Sequence, residues 1–130
     1  MKGVYVLVIS ICKDIKVNVG ALGSINFENG VYAYVGSAQN NLEKRIGRHL
    51  RRTKRKFWHI DYLLCNRFAK IVKVFYKKAG RNEECRIAKN LSEKGVAIKN
   101  FGCSNCSCVS HLFRVEDYSF LKEFMFELWL

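Results

Sequence analysis

Arg45, His49 and Arg52 fall at i, i+4 and i+7, a spacing that sets them along one ridge of a helix. The ridge lies beside an apolar stripe of Leu42, Ile46 and Leu50, so the cationic heads can reach the edge of a cleft. A guanidinium and an imidazole so placed offer charge stabilisation and proton transfer. Tyr5 and Tyr34 add two phenols within strand-like runs, where a buried hydroxyl must find a partner. Near an arginine they could act as a proton-handling pair. Glu84 shares a helical face with Ile87, Ala88 and Leu91. A carboxylate on an inward face is costly unless a cation or a metal meets it. Its neighbour Glu83 lies off that face and suits the positive end of a helix dipole.

Charge is concentrated around the first of these helices. Between residues 43 and 56 stand eight Lys or Arg against one acid: Lys44, Arg45, Arg48, Arg51, Arg52, Lys54, Arg55 and Lys56. They carry over half of the chain's net charge of +12, a balance that points to a polyanionic partner such as nucleic acid. Lys44, Arg48 and Arg51 point further outward than Arg45, to where a phosphate backbone would release counterions on contact. Phe57, Trp58 and Tyr62 follow directly. In a chain of this length packing is the first reading for Phe57 and Trp58, and base stacking the second. Replacing Arg51, Arg52, Lys54 and Arg55 together by Ser is expected to weaken binding without unfolding the protein.

Six cysteines accompany these groups, and Cys103-x2-Cys106-x-Cys108-x2-His111 is dense in metal ligands. Three thiolates and an imidazole satisfy tetrahedral Zn²⁺, although a structural zinc site normally joins two separated knuckles. A disulfide, or small thiols packed under a loop, are the alternatives. Cys103 with Cys108, or either with Cys85, would be the pairings. His59 and Asp61 read as a satisfied buried pair rather than metal ligands.

These groups must be held by one domain, because 130 residues make a single core of ordinary size. Residues 1–130 show no repeat and no low-complexity linker. The apolar fraction of 49% with 13% aromatics excludes a disordered basic tail. No apolar stretch has the length of a membrane span and no cleavage-like site ends the opening run, so a cytoplasmic location is expected. Residues 4–11 read as a strand buried on both faces, with shorter strands at 15–18 and 24–27. Asn29-Gly30 signals a hairpin into 31–35, giving a meander. Asn40 or Asn41 caps the basic helix. Residues 57–64 are a short helix or a strand end, 70–76 a strand, and 82–93 a helix. A strand at 112–115 precedes a helix from Asp117 that turns Phe120, Leu121, Phe124, Met125 and Leu128 inward.

With these residues in view, the chain resembles the GIY-YIG nuclease superfamily. Gly3-Val4-Tyr5 looks like its first motif and Tyr34-Val35-Gly36-Ser37-Ala38 like its second. Arg45 followed by His49 is similar to its first helix, and a later helical Glu completes an ordered set far more specific than either tripeptide. The match extends to a mainly archaeal branch also seen fused to endonuclease III-type DNA glycosylases, through GVYVLVI, RIGRHLR, WHIDYLL, ECRIAKNL and FGCSNCSCVSHLF. Residues 12–29 are longer than the superfamily's usual hairpin and read as an added β-hairpin. Gly30-Val31-Tyr32 is therefore an alternative first motif.

The resemblance implies an α/β (α+β) fold, a small, mostly antiparallel central sheet flanked by helices, here with the added hairpin and a Cys-rich C-terminal segment. It implies Tyr5, Tyr34, Arg45 and His49 as catalytic residues, and Glu84 as ligand of Mg²⁺ or Mn²⁺. The expected activity is phosphodiester hydrolysis on DNA rather than RNA, in repair, with an endonuclease III-type partner. A non-catalytic nucleic-acid-binding module on the same scaffold is the alternative.

Overall fold

A computed structural model of the chain describes residues 1–52, 54–103 and 108–128. Strand β1 (Gly3–Ile11) buries nearly every residue, which a strand can do only with neighbours on both edges and layers on both faces. It has both. β4 (Gly30–Ala38) pairs along one edge and β5 (Ala69–Lys77) along the other, each antiparallel. Further out lie β6 (Gly95–Ala97), β7 (Leu112–Val115) and β8 (Phe126–Leu128), in the order β6-β7-β4-β1-β5-β8. All these pairings are antiparallel. The expected mixed α/β class, with a mostly antiparallel sheet flanked by helices, is what the chain adopts.

Alternation along β1 divides the core into two layers. Tyr5, Leu7, Ile9 and Ile11 face helix α1 (Leu42–Leu50), helix α2 (His59–Leu64) and the hairpin of β2 (Ile15–Asn18) and β3 (Ser24–Phe27). Val4, Val6 and Val8 face helix α3 (Asn82–Lys94) through Ile87, Ala88 and Leu91, together with Leu121 and Met125. Each fully buried aliphatic side chain stabilises the fold by about 1.5–3 kcal/mol. Among the described residues no helix is long and apolar enough to cross a membrane.

The added hairpin is present, but Asn29-Gly30 does not turn it. β3 pairs with β2 and β4 with β1, so this dipeptide carries the chain from the small sheet back to the large one. Gly30 has φ 155°, and Ile11 opposite Gly30 closes the base of the insertion. The Asp14 carboxylate accepts a 2.7 Å hydrogen bond from the Asn29 N–H there.

Three other expectations are corrected. The helix predicted from Asp117 is a short 3₁₀ turn over Ser119–Glu123 followed by β8. Leu121 and Met125 still go inward, but β8 satisfies backbone groups along the free edge of β5, a gain that local periodicity cannot register. The basic helix stops at Leu50, so Arg52 lies beyond it; Leu50 is exposed and His49 takes the inward place beside Leu42 and Ile46. His59 and Asp61 are satisfied separately rather than as a pair. His59 Nδ1 accepts from the Gly102 N–H at 2.8 Å, and Asp61 accepts from the N–H groups of Phe57 and Trp58.

Candidate active site and adjoining basic groove

Asn41 accepts a hydrogen bond from the Lys44 N–H and caps α1. With the helix start fixed and Leu42 and Ile46 buried, Arg45 and His49 are carried to the end of the sheet where β1 begins. There the Tyr5 hydroxyl lies 2.8 Å from His49 Nε2. Tyr5 stands opposite Gly36 in the β1–β4 register, and a Cβ on Gly36 would overlap the phenol. The glycine of the second motif-like segment is thus the space that the tyrosine of the first occupies.

These residues border a cavity of about 380 Å³ lined by Tyr5, Tyr34, Gly36, Ser37, Arg45, Trp58, Arg81, Asn82, Glu84, Cys85, Gly102 and His111. Glu84 is its one carboxylate among the described residues. Glu84 Oε2 lies 3.0 Å from His111 Nδ1, which gives the half-inward carboxylate a partner. Tyr32 does not border the cavity; its hydroxyl donates to the Glu28 carbonyl at 2.8 Å. Of the two candidate first-motif tyrosines, Tyr5 is the one beside Arg45 and Glu84.

Burial sets the proton chemistry. It raises the Tyr5 phenol well above its ordinary range, with the Arg45 charge pulling the other way. Burial, then Tyr5, also raises Tyr34. His49 is pushed down to about 3 by burial and by nearby Lys54. At neutral pH both Tyr5 and His49 are therefore uncharged. His49 Nδ1 is buried without a hydrogen-bond partner among the described residues, so the imidazole's polar contact is concentrated on Tyr5.

A larger groove of about 730 Å³ adjoins the cavity, and Ser37, Arg45 and Arg81 border both. Lys44, Arg48 and Arg51 also line it. The cations of residues 44–56 divide into two groups. Lys44, Arg51, Arg52, Arg55 and Lys56 are exposed, Arg52 while also bonded to the fold. Arg48 instead makes two 2.9 Å hydrogen bonds to the buried Asp61 carboxylate and one to the Arg55 carbonyl. Burial opposes the ionised Asp61, but Arg48 and the two backbone N–H donors still hold it below the usual carboxylate range. Arg52 donates to the Ala69 carbonyl and Lys54 to that of His49. Arg48, Arg52 and Lys54 thus also hold the fold together, a role their sequence pattern does not indicate.

Trp58, Arg81 and Asn82 are cavity residues that the sequence did not single out as such. Trp58 carries the guanidiniums of Arg45 and Arg48 over its ring at 4.3 and 4.5 Å. This cation–π contact holds Arg45 in place. Arg81 and Asn82 open α3, and only the fold brings that helix start to the cavity that Arg45 also lines. In the Cys-rich segment, Cys103 Sγ lies 3.6 Å from the Phe101 carbonyl, while Cys106 lies outside the described residues. Cys108 and His111 meet Cys85.

Sheet, helices and cleft define a mixed α/β domain with a cationic groove leading to a cavity of two phenols, two arginines and one carboxylate. The chain belongs to the family described as domain of unknown function DUF123, whose model matches residues 4–129. No curated protein and no solved structure matches it.

Proposed function

We propose that the protein is a metal-dependent nuclease of the GIY-YIG type that hydrolyses phosphodiesters in DNA, in a repair setting. The observation that carries this reading is the convergence of Tyr5, Tyr34, Arg45 and Glu84 on one cavity that borders a basic groove. The groove's exposed Lys44 and Arg51 take the flanking backbone, each contact releasing counterions. Arg45 meets the scissile phosphate and neutralises the charge that grows on it.

Tyr5 and His49 handle the proton of the attacking water. The proton passes to the phenol oxygen as the phenol's own proton passes to His49 Nε2. Their 2.8 Å contact allows this transfer. Burial disfavours an imidazolium, and a phosphate anion entering the cavity offsets that cost by raising the basicity of His49. Tyr34 closes the other wall and excludes water. Glu84 fits a hard divalent cation such as Mg²⁺ or Mn²⁺, since one carboxylate together with water and substrate phosphate is an ordinary donor set for it. When bound, the cation supplies charge neutralisation at the leaving oxygen.

A non-catalytic DNA-binding module is the second reading, favoured by one observation: Glu84 already engages His111. Incubation with duplex, flap, branched and abasic DNA in Mg²⁺ or Mn²⁺ separates the two. Cleavage supports the nuclease, and binding without cleavage on every substrate supports the module. In either case an endonuclease III-type glycosylase is the proposed partner and the cytoplasm the proposed location.

A further inference from the structure

Two thiols and an imidazole from distant parts of the chain meet beside the cavity. Cys85 lies in the first turn of α3, while Cys108 and His111 belong to the segment entering β7. One ligand atom from each lies within 4.8 Å of the others. In a tetrahedral site with bonds of about 2.3 Å to sulfur and about 2.0 Å to nitrogen, ligand atoms stand roughly 3.5–3.8 Å apart. A small contraction of the observed group therefore seats an ion. We infer that Cys85, Cys108 and His111 bind one borderline-soft divalent cation, zinc by the chemistry of the donors, whether or not Glu84 holds a second, harder ion.

Sulfur and imidazole ligands select zinc over Mg²⁺ or Ca²⁺, which favour oxygen. The Glu84 carboxylate lies 3.0 Å from His111 Nδ1. A carboxylate at this distance from a ligating histidine is placed to orient its ring. Glu84 is thus a positioning residue for this site. Three protein ligands leave one coordination position for water or a further group. The ligand set differs from the contiguous Cys103–His111 stretch read in the sequence, because α3 supplies Cys85 from outside it. That makes the site a joint between two distant segments. Bound zinc would tie the start of α3 to the strand that pairs with β4, and so fix the cavity wall that carries Glu84.

The test uses the full chain, purified anaerobically under reducing conditions and stripped of metal. Titration with Co²⁺ should give one ion per chain with thiolate-to-cobalt charge-transfer absorption, discharged by Zn²⁺. Cys85→Ser, at a partly exposed position, should weaken those bands and lower zinc affinity at least about tenfold while circular dichroism stays that of the parent. Cys12→Ser, at an exposed position remote from the group, should change neither. Glu84→Gln should keep one bound ion at roughly tenfold to a hundredfold lower affinity. Absence of charge-transfer bands in the parent protein would overturn the inference, as would a Cys85–Cys108 disulfide in the anaerobically prepared chain. Neither result bears on cleavage with Mg²⁺, so this site and the nuclease reading stand or fall separately.

Discussion

The Tyr5 hydroxyl and His49 Nε2, 44 positions apart, meet at 2.8 Å in the interior. The contact joins the first strand to the last turn of α1, with Arg45 one turn earlier on the same helix. It makes an uncharged pair of two groups that would each titrate differently in water.

Stability should depend on pH through His49. In the unfolded chain this imidazole takes a proton near 6.5, whereas burial and Lys54 push it down to about 3 in the folded protein. Between those values the unfolded chain binds the extra proton. The stabilisation is therefore fully present above about 6.5 and is lost as pH falls toward 3. Urea unfolding at pH 7 and pH 4.5 should show a drop of a few kcal/mol. His49→Gln should flatten it. Asp61, already held below 3.8 in the fold, adds its own loss only below that value.

Asp61→Asn should destabilise by about 3–5 kcal/mol, because it strips the buried partner from Arg48 and weakens the turn into α2. Chemical denaturation reads this directly. A cost below about 1 kcal/mol would mean that its Arg55 and Trp58 contacts suffice to hold Arg48.

DNA affinity should respond differently to cations of the two kinds. Replacing Lys44 and Arg51 together by Ser should leave stability within about 0.5 kcal/mol and reduce the steepness of the salt dependence by about two contacts. Replacing Arg52 and Lys54 should instead lower the unfolding midpoint, because the Ala69 and His49 carbonyls lose their donors. Binding titrations at several salt concentrations, alongside thermal melts, separate the outcomes.

Gly36→Ala should cost about 1–3 kcal/mol and push the Tyr5 phenol out of line with His49, since the new methyl occupies its place. Tyr5→Phe in the same background should recover little of that stability, as the ring carbons that meet the added carbon remain.

Much of this architecture was legible in the chain because its cause is local. Alternation and β-branched runs mark β1 and β4, Asn41 marks the start of α1, and Gly95 marks the end of α3. Glu84 was legible too, as a carboxylate on the Ile87/Ala88/Leu91 face. The remainder depends on contacts that sequence spacing does not encode. β8 forms because β5 offers an edge. His49 turns inward because Tyr5 lies beneath it, leaving Leu50 exposed. Arg48 reads as a surface cation until α2 brings Asp61 to it. Arg81 and Asn82 join the cavity only because α3 packs on β4 and β7 with its start at the cavity, and the same packing brings Cys85 to Cys108 and His111.

The central claim is tested most directly by contrasting two adjacent glutamates in a cleavage assay on DNA with Mg²⁺ or Mn²⁺. Glu83 is engaged by Lys77 at 2.8 Å and Arg86 at 3.3 Å and does not border the cavity, whereas Glu84 does. With zinc supplied throughout to keep the cysteine site filled, Glu84→Gln should abolish cleavage and leave DNA binding within about twofold, and Glu83→Gln should cleave like the parent. Cleavage that survives both substitutions would contradict the account, because the cavity's one carboxylate would then have no part in the reaction.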